Sequence, residues 1–306
     1  MIFEGAASLR YAEIQASGSL FYYCSSEEKE LRMKLLVTDI DETLSRGEQL
    51  TPGVISACER LRGNGWTIMV ASGRILATAM PHIRGTGTDL PAILYDGGRI
   101  MDTATGRAVS ETSMDPALAL EIVQAGWEHP VELQIIGDER AVCRSADAVT
   151  RGFFAEAGVP VDSSLESPSV PQEVFRVIFH GIPGSIRSLE RDLKSRFAGR
   201  AEIVQAGEGF LDVLPLGVSK GAALRGWLAT LPELPEIVVA AGDHHNDMEM
   251  LKEADIAVVP EDAADEVLAL SDVIMPSADK DGFVFLADWL LKGDIHRDEN
   301  ASPVVL

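Results

Sequence analysis

The segment Lys34–Ser45, KLLVTDIDETLS, constrains the fold of this chain more than any other. Its first residues are apolar or β-favouring without alternation, so the strand they form must be covered on both faces. Asp39, Asp41 and Glu42 follow at once. Burying one unpaired carboxylate costs several kcal/mol, so a chain that ends a buried strand this way must bring compensating groups to the same place.

The text around this segment alternates between two periods. TPGVISACERLRGNG predicts a helix with Thr51 as N-cap, Pro52 in the first turn, and an apolar stripe of Val54, Cys58 and Leu61, ended by Gly63 or Gly65. WTIMVAS reads as the next strand, RILATAMPHI as the next helix and AILYDGG as a third strand. Continuous apolar strands alternating with helices predict a parallel sheet covered on both faces.

Near Arg99 the pattern changes. RIMDTATGRAVSE reads as a hairpin around Thr105 and Gly106. A helix carrying Leu118, Ile122 and Val123 follows, then strands VELQII and RAVCR, and a short helix near 147–157. The strand VFRVIFHG, a helix with Ile186, Leu189, Leu193 and Phe197 on one face, and the strands AEIVQA and FLDVLP complete an α+β section. After LGVSKGAAL the first pattern returns, with strands EIVVAAGD, DIAVVP and SDVIMP and a closing helix FVFLADWLL. The expected organisation is an extension over 1–32 of open role and one α/β domain split into 33–98 and 215–293. An α+β domain is inserted over 99–214, and a frayed tail covers 294–306.

Composition narrows the partners. The 306 residues suffice for two domains or for one with a large insertion. A formal charge of −22, from 48 acidic and 26 basic residues, repels nucleic acid and anionic membrane, so neither is an expected partner. Cys24, Cys58 and Cys143 are scattered, which predicts reduced thiols and a cytoplasmic location. No apolar run approaches the roughly 18 residues that span a bilayer, and the N-terminus lacks a basic region before a long apolar core. The oligomeric state is not legible.

Ligands of an open α/β sheet bind outside the carboxyl ends of its strands. The first strand delivers Asp39 and Asp41 there, the second delivers Ser72, Gly73 and Arg74, and the strand after the insertion delivers Asp243, Asn246 and Asp247. Lys220 opens the helix before that strand. Two positions apart, Asp39 and Asp41 are expected on one side, where each raises the other's pKa unless a cation neutralises them. An all-oxygen set without cysteine suits a hard cation such as Mg²⁺. Lys220 and Ser72 suit an anion, and the sum describes a phosphoryl site. GTGT at 85–88 is not followed by Gly-Lys-Ser/Thr, and no GxGxxG opens a helix after the first strand, so neither a P-loop nor a dinucleotide site is expected. Asp243-His244-His245 shares three letters with a manganese phosphoesterase family, but no histidine near the first strand completes such a cluster. His244 and His245 are expected as exposed loop residues.

These residues carry a resemblance. DIDET resembles the DxDxT signature of the haloacid dehalogenase-like phosphohydrolases, VVAAGDHHNDMEML resembles their GDxxNDxxML signature, and LDVLPLGVSKGAAL resembles the segment bringing in their lysine. The insertion lies between the serine and lysine motifs, which is similar to the Cof-type (IIB) members with a large α/β cap. The resemblance covers Met33 to Leu291, with a departure at YDGG, where Asp96 stands in place of the frequent asparagine. It implies a Rossmann-like parallel-sheet core interrupted by an α+β cap. The implied activity is a Mg²⁺-dependent phosphatase of a small phosphorylated metabolite, a sugar phosphate or similar phosphomonoester.

The resemblance also implies roles. Asp39 is the nucleophile and Asp41 the general acid and base, while Thr43 fixes the loop. Ser72, the Gly73 N–H and Lys220 hold the phosphoryl group, and Asn246 positions the phosphate or Lys220. Asp39, the backbone carbonyl of Asp41, Asp243 and Asp247 hold the metal. Inward residues of the cap, among them Gln134, Arg140, Arg144 and Arg176, are available to set specificity. Return of the phosphoryl group to a sugar, as in a mutase, and a non-catalytic sensor of a phosphometabolite remain open alternatives.

Overall fold

The computed structural model describes residues 32–47, 49–138, 140–144, 159–163, 165–207, 209–293 and 303–306. The N-terminal extension, apart from Arg32, and the helix expected near 147–157 lie outside the described residues.

The chain enters β1 (Lys34–Thr38), crosses α1 (Pro52–Gly63) into β2 (Trp66–Val70), and continues through α2 (Leu76–Thr86) to β3 (Ala92–Leu94). Thr51 caps α1 as its residue type predicts, its hydroxyl accepting from the Val54 N–H at 3.2 Å, a contact worth about 1 kcal/mol. The hairpin expected at the head of the insertion forms as β4 (Arg99–Met101) and β5 (Ala108–Glu111). It pairs with β3 in a three-stranded antiparallel sheet of its own rather than with the strands that follow. A single parallel bridge between Ala71 and Ile93 ties that sheet to the edge at β2.

The next section builds a second six-stranded sheet. It contains α3 (Pro116–Trp127), β6 (Glu132–Gly137), β7 (Arg140–Cys143), β8 (Val161–Asp162) and β9 (Arg176–His180). It ends with α4 (Pro183–Phe197), β10 (Ala201–Gly207) and β11 (Phe210–Pro215). The order is β10-β11-β9-β6-β7-β8, antiparallel except for the β7–β8 pair. The period of two sorts its faces. Leu133, Ile135, Val177, Phe179, Leu211 and Val213 pack with α3 and α4 through Ile122, Leu189 and Phe197. On the opposite face, Ile136 and Ile178 join Ile40, Ile75 and Tyr95 of the first unit in a shared apolar cluster.

The chain then returns through α5 (Lys220–Leu228), β12 (Ile237–Ala241), α6 (Met248–Glu253), β13 (Ile256–Pro260), α7 (Asp265–Leu268), β14 (Val273–Met275) and α8 (Gly282–Lys292). The first sheet is wholly parallel in the order β15 (Val304–Val305)-β14-β13-β12-β1-β2. Its outermost strand, β15, comes from the segment expected to fray, and Leu306 N–H donates to Ile274 O at 3.0 Å. Leu36 faces the cluster with α1 and α8, whereas Leu35 and Val37 face the one with α5 and α6. The unbroken apolar run before Asp39 is thus a strand buried on both sides.

Candidate active site

β1 ends at Thr38, so Asp39 and Asp41 stand in the loop beyond it, and the alternation expected of them does not carry over. Asp39 continues the edge of the sheet, its N–H donating to Ala241 O at 2.9 Å, and it is buried. Lys220, the first residue of α5, is buried with it. The helix is held in place by Ser219, whose hydroxyl accepts from the Ala222 N–H at 3.0 Å. From this anchor Lys220 Nζ donates to Asp39 Oδ1 and to Asp247 Oδ1, both at 2.7 Å.

Beyond β12, the turn Asp243–Asp247 folds on itself. Asp247 Oδ2 accepts from the backbone N–H groups of Asp243 and His244, each at 3.1 Å. Thr43 donates to Asp243 Oδ1 at 2.9 Å, which links this turn to the loop after β1. Asp39, Asp243 and Asp247 each present one carboxylate oxygen, all within 4.8 Å of one another.

The charges here do not balance. Burial pushes the Asp39 carboxyl well above its usual range, against the pull of Lys220 and with help from Asp247, Asp243 and Asp41. Burial and Asp247 push Asp243 up to about 7, against the hydrogen bond from Thr43. Burial disfavours the Lys220 ammonium, but Asp247 and Asp39 outweigh it and hold the proton more firmly than usual. Three crowded carboxylates facing one ammonium lack positive charge, and their donor set is all oxygen. The site therefore fits a hard divalent cation.

The remaining expected residues take different partners. Asp41 lies in a two-pronged pair with Arg74, with Nη2 at 2.6 Å and Nε at 3.0 Å, and its side chain is 55% exposed while that of Arg74 is 6% exposed. The Asp41 carboxylate is not part of the three-carboxylate cluster. Ser72 is fully buried, and its hydroxyl accepts from the Arg74 N–H at 3.2 Å, closing the turn around Gly73. Asn246 Nδ2 donates to Asp96 Oδ1 at 2.9 Å. His244 and His245 are half-buried rather than exposed, and His244 Nδ1 sits 3.1 Å from Gln205 O on the second sheet.

The sequence reads Arg74 as a structural partner of a nearby carboxylate rather than a ligand, which its pair with Asp41 bears out. It names Asp96 only as a departure from the family pattern and does not single out Asp212. Asp96 follows β3 in a turn where Tyr95, Asp96 and Gly97 all have positive φ, at 55°, 54° and 99°. Such conformations in two non-glycine residues are costly and persist only where the surroundings enforce them. At Gly97 a Cβ would lie 2.1 Å from Ser219 O, so this turn packs directly against the cap of the lysine helix. The local signal was the YDGG run itself.

The parallel sheet, with a lysine and a carboxylate cluster at its carboxyl edge, is an arrangement suited to holding a phosphoryl group. Residues 36–286 match the family model for haloacid dehalogenase-like hydrolases. A phosphoglycolate phosphatase of Methanoculleus marisnigri is 28% identical over 82% of this chain and 94% of its own length. The chloroplastic endoribonuclease YBEY of Arabidopsis thaliana is 25% identical over 82% of this chain, and the chain spans only 45% of that relative. The crystal structure of a haloacid dehalogenase-like hydrolase from Bacteroides thetaiotaomicron superposes with a TM-score of 0.72 at 19% identity, covering 85% of this chain and 100% of the other. The chain belongs to the haloacid dehalogenase-like hydrolases, in the Cof-type branch, and is an enzyme of the phosphatase kind.

Proposed function

We propose that this protein is a Mg²⁺-dependent phosphatase of a small phosphorylated metabolite, a sugar phosphate or similar phosphomonoester, working through a phosphoryl group carried on Asp39. The observation that carries this reading is the Lys220 ammonium shared between Asp39 and Asp247 within the three-carboxylate cluster. The phosphatase names of relatives, one of them for phosphoglycolate, support the substrate class.

Asp39 attacks phosphorus through its free carboxylate oxygen, and the bond to the leaving oxygen breaks. Asp41 gives that oxygen its proton and then takes one from the water that attacks the phosphoryl-Asp39, returning Asp39 and releasing phosphate. The exposure of the Asp41 side chain leaves it open to both the leaving group and water, and Arg74 holds its orientation. Lys220, Ser72 and the Gly73 N–H hold the phosphoryl oxygens. Asp39, the Asp41 carbonyl, Asp243 and Asp247 would hold Mg²⁺, which when bound neutralises charge on the cluster and on the phosphoryl oxygens. The second sheet acts as a cap, with Ile136 and Ile178 closing over Ile40 to exclude bulk water.

Phosphate release from a panel of phosphorylated sugars, nucleotides and small acids, with Mg²⁺ and with chelator, tests the reading. Metal-dependent release from at least one small phosphomonoester is expected. Release that is unaffected by chelator, or none across the panel in protein that binds Mg²⁺, would overturn it.

A further inference from the structure

Arg176, on β9, leaves the second sheet and enters the first unit. Its Nη1 donates to the carbonyl of Gly73 and lies 3.1 Å from Asp96 Oδ2, while its Nη2 lies 2.5 Å from Asp212 Oδ2. Asp212 is opposite Ile178 on the neighbouring strand, which makes it a diagonal neighbour of Arg176 on the same face. Both carboxylates are 1% exposed in their side chains and Arg176 is 14% exposed, so the three form a buried cluster. Gly73 has no room for a side chain here, since a Cβ would lie 2.6 Å from Arg176 Nη1 and 2.7 Å from Asp96 Oδ2.

Two carboxylates on one guanidinium leave no spare positive charge, so Arg176 is not built as a free anion receptor. Its core-side contacts instead converge on the expected phosphoryl-binding turn. Gly73 is the turn itself. Asp96 is tied to the same turn through its N–H, which donates to Ser72 O at 3.2 Å, and to Asn246 through its Oδ1 at 2.9 Å. An arginine fork offers two fixed directions at once, which a lysine cannot match.

We propose that Arg176 is a positioning residue of the phosphoryl site. From the second sheet it pins the Gly73 carbonyl and the Asp96 carboxylate, so that the Ser72–Gly73 turn and Asn246 take their working geometry only while that sheet is docked. The catalytic part of this inference rests on the phosphatase reading; the structural part stands without it. Closure of the second sheet then assembles the site as well as covering it, and a substrate too large to permit docking is turned over slowly however well its phosphate fits.

The test compares wild type with Arg176→Met and Arg176→Lys by amide exchange in metal-free protein and by steady-state phosphate release. In Arg176→Met the Ser72, Arg74 and Asp96 amides exchange at least about tenfold faster, while those of β6 and β9 are unchanged. Its kcat falls about tenfold or more with KM moved less than about threefold. Arg176→Lys recovers part of both losses, and adding Asp96→Asn to Arg176→Met costs little further. Unchanged exchange at those amides in folded Arg176→Met, or losses from Asp96→Asn and Arg176→Met that multiply independently, would overturn the proposal. If wild type releases no phosphate from any compound, the phosphatase reading fails, and the exchange experiment still decides the positioning role.

Discussion

Lys220 and Asp39 are separated by 181 positions in the chain, yet the lysine ammonium stands 2.7 Å from the aspartate oxygen in a buried pair at the edge of the parallel sheet. The loop after β1, before the insertion, supplies one partner and the helix after the insertion supplies the other, so the pair also records how the divided α/β unit closes.

Replacing Lys220 by methionine leaves Asp39 and Asp247 buried without their ammonium. Breaking a buried pair by removing one partner costs about 3–5 kcal/mol. The urea midpoint of Lys220→Met should therefore fall sharply in chelator. Added Mg²⁺ should restore more stability to this variant than to wild type, because the cation replaces the lost positive charge. Equal stabilisation of both proteins by Mg²⁺ would count against a shared carboxylate site.

Binding of Mg²⁺ to the folded state alone should raise stability by about 2.7 kcal/mol at a hundred times its Kd. Asp243→Asn should abolish most of that gain, since Asp243 offers one of the three clustered oxygens. Thermal unfolding with and without Mg²⁺ measures this directly, and a full gain in the variant would place the cation elsewhere.

Arg74→Lys keeps the charge beside Asp41 but loses the two-pronged grip at 2.6 and 3.0 Å. With Asp41 free to swing, kcat should fall by about 10- to 100-fold while the fold persists. A variant with normal kcat would show that the Arg74 pair does not orient the acid and base.

Asp212 gives a pH signature whose sign is fixed. Burial pushes its carboxyl up to about 7, with Arg176 opposing and Asp96 adding to the rise. Across the cluster, burial also works against Asp96, but Arg176 and Lys220 hold its carboxyl below the usual range. The folded protein keeps the Asp212 proton to higher pH than the unfolded chain does. The stability this contributes is complete below about pH 4 and is lost as the pH rises through about 7. The stability of wild type relative to Asp212→Asn should therefore fall by more than about 1 kcal/mol between about pH 4 and pH 8. Parallel urea curves for the two proteins across that range would contradict it.

The sequence was most legible where local pattern and buried chemistry coincide. The apolar run into Asp39 and the helix opening at Lys220 are local features, and their convergence follows from where strands of a parallel sheet end. The alternation of β1 does not extend to Asp41, because the strand stops at Thr38 and the loop beyond it has its own geometry. The pairing of Val304–Val305 with β14 had no signal in two apolar residues, since only the edge of a finished sheet gives them a partner. The hairpin was legible as a hairpin, but its pairing with β3 was not. Arg176 was one of three arginines and one glutamine named in the insertion; its contact with Gly73 arises where two sheets meet, and no window of sequence contains both.

The most direct test of the central claim is a rapid-quench experiment on a phosphomonoester carrying labelled phosphate, comparing wild type with Asp39→Asn in Mg²⁺. The account predicts transient label on Asp39 of the wild type, located by peptide mapping, and neither label nor phosphate release in folded Asp39→Asn. Phosphate release at the wild-type rate from Asp39→Asn, or label on another residue, would contradict it.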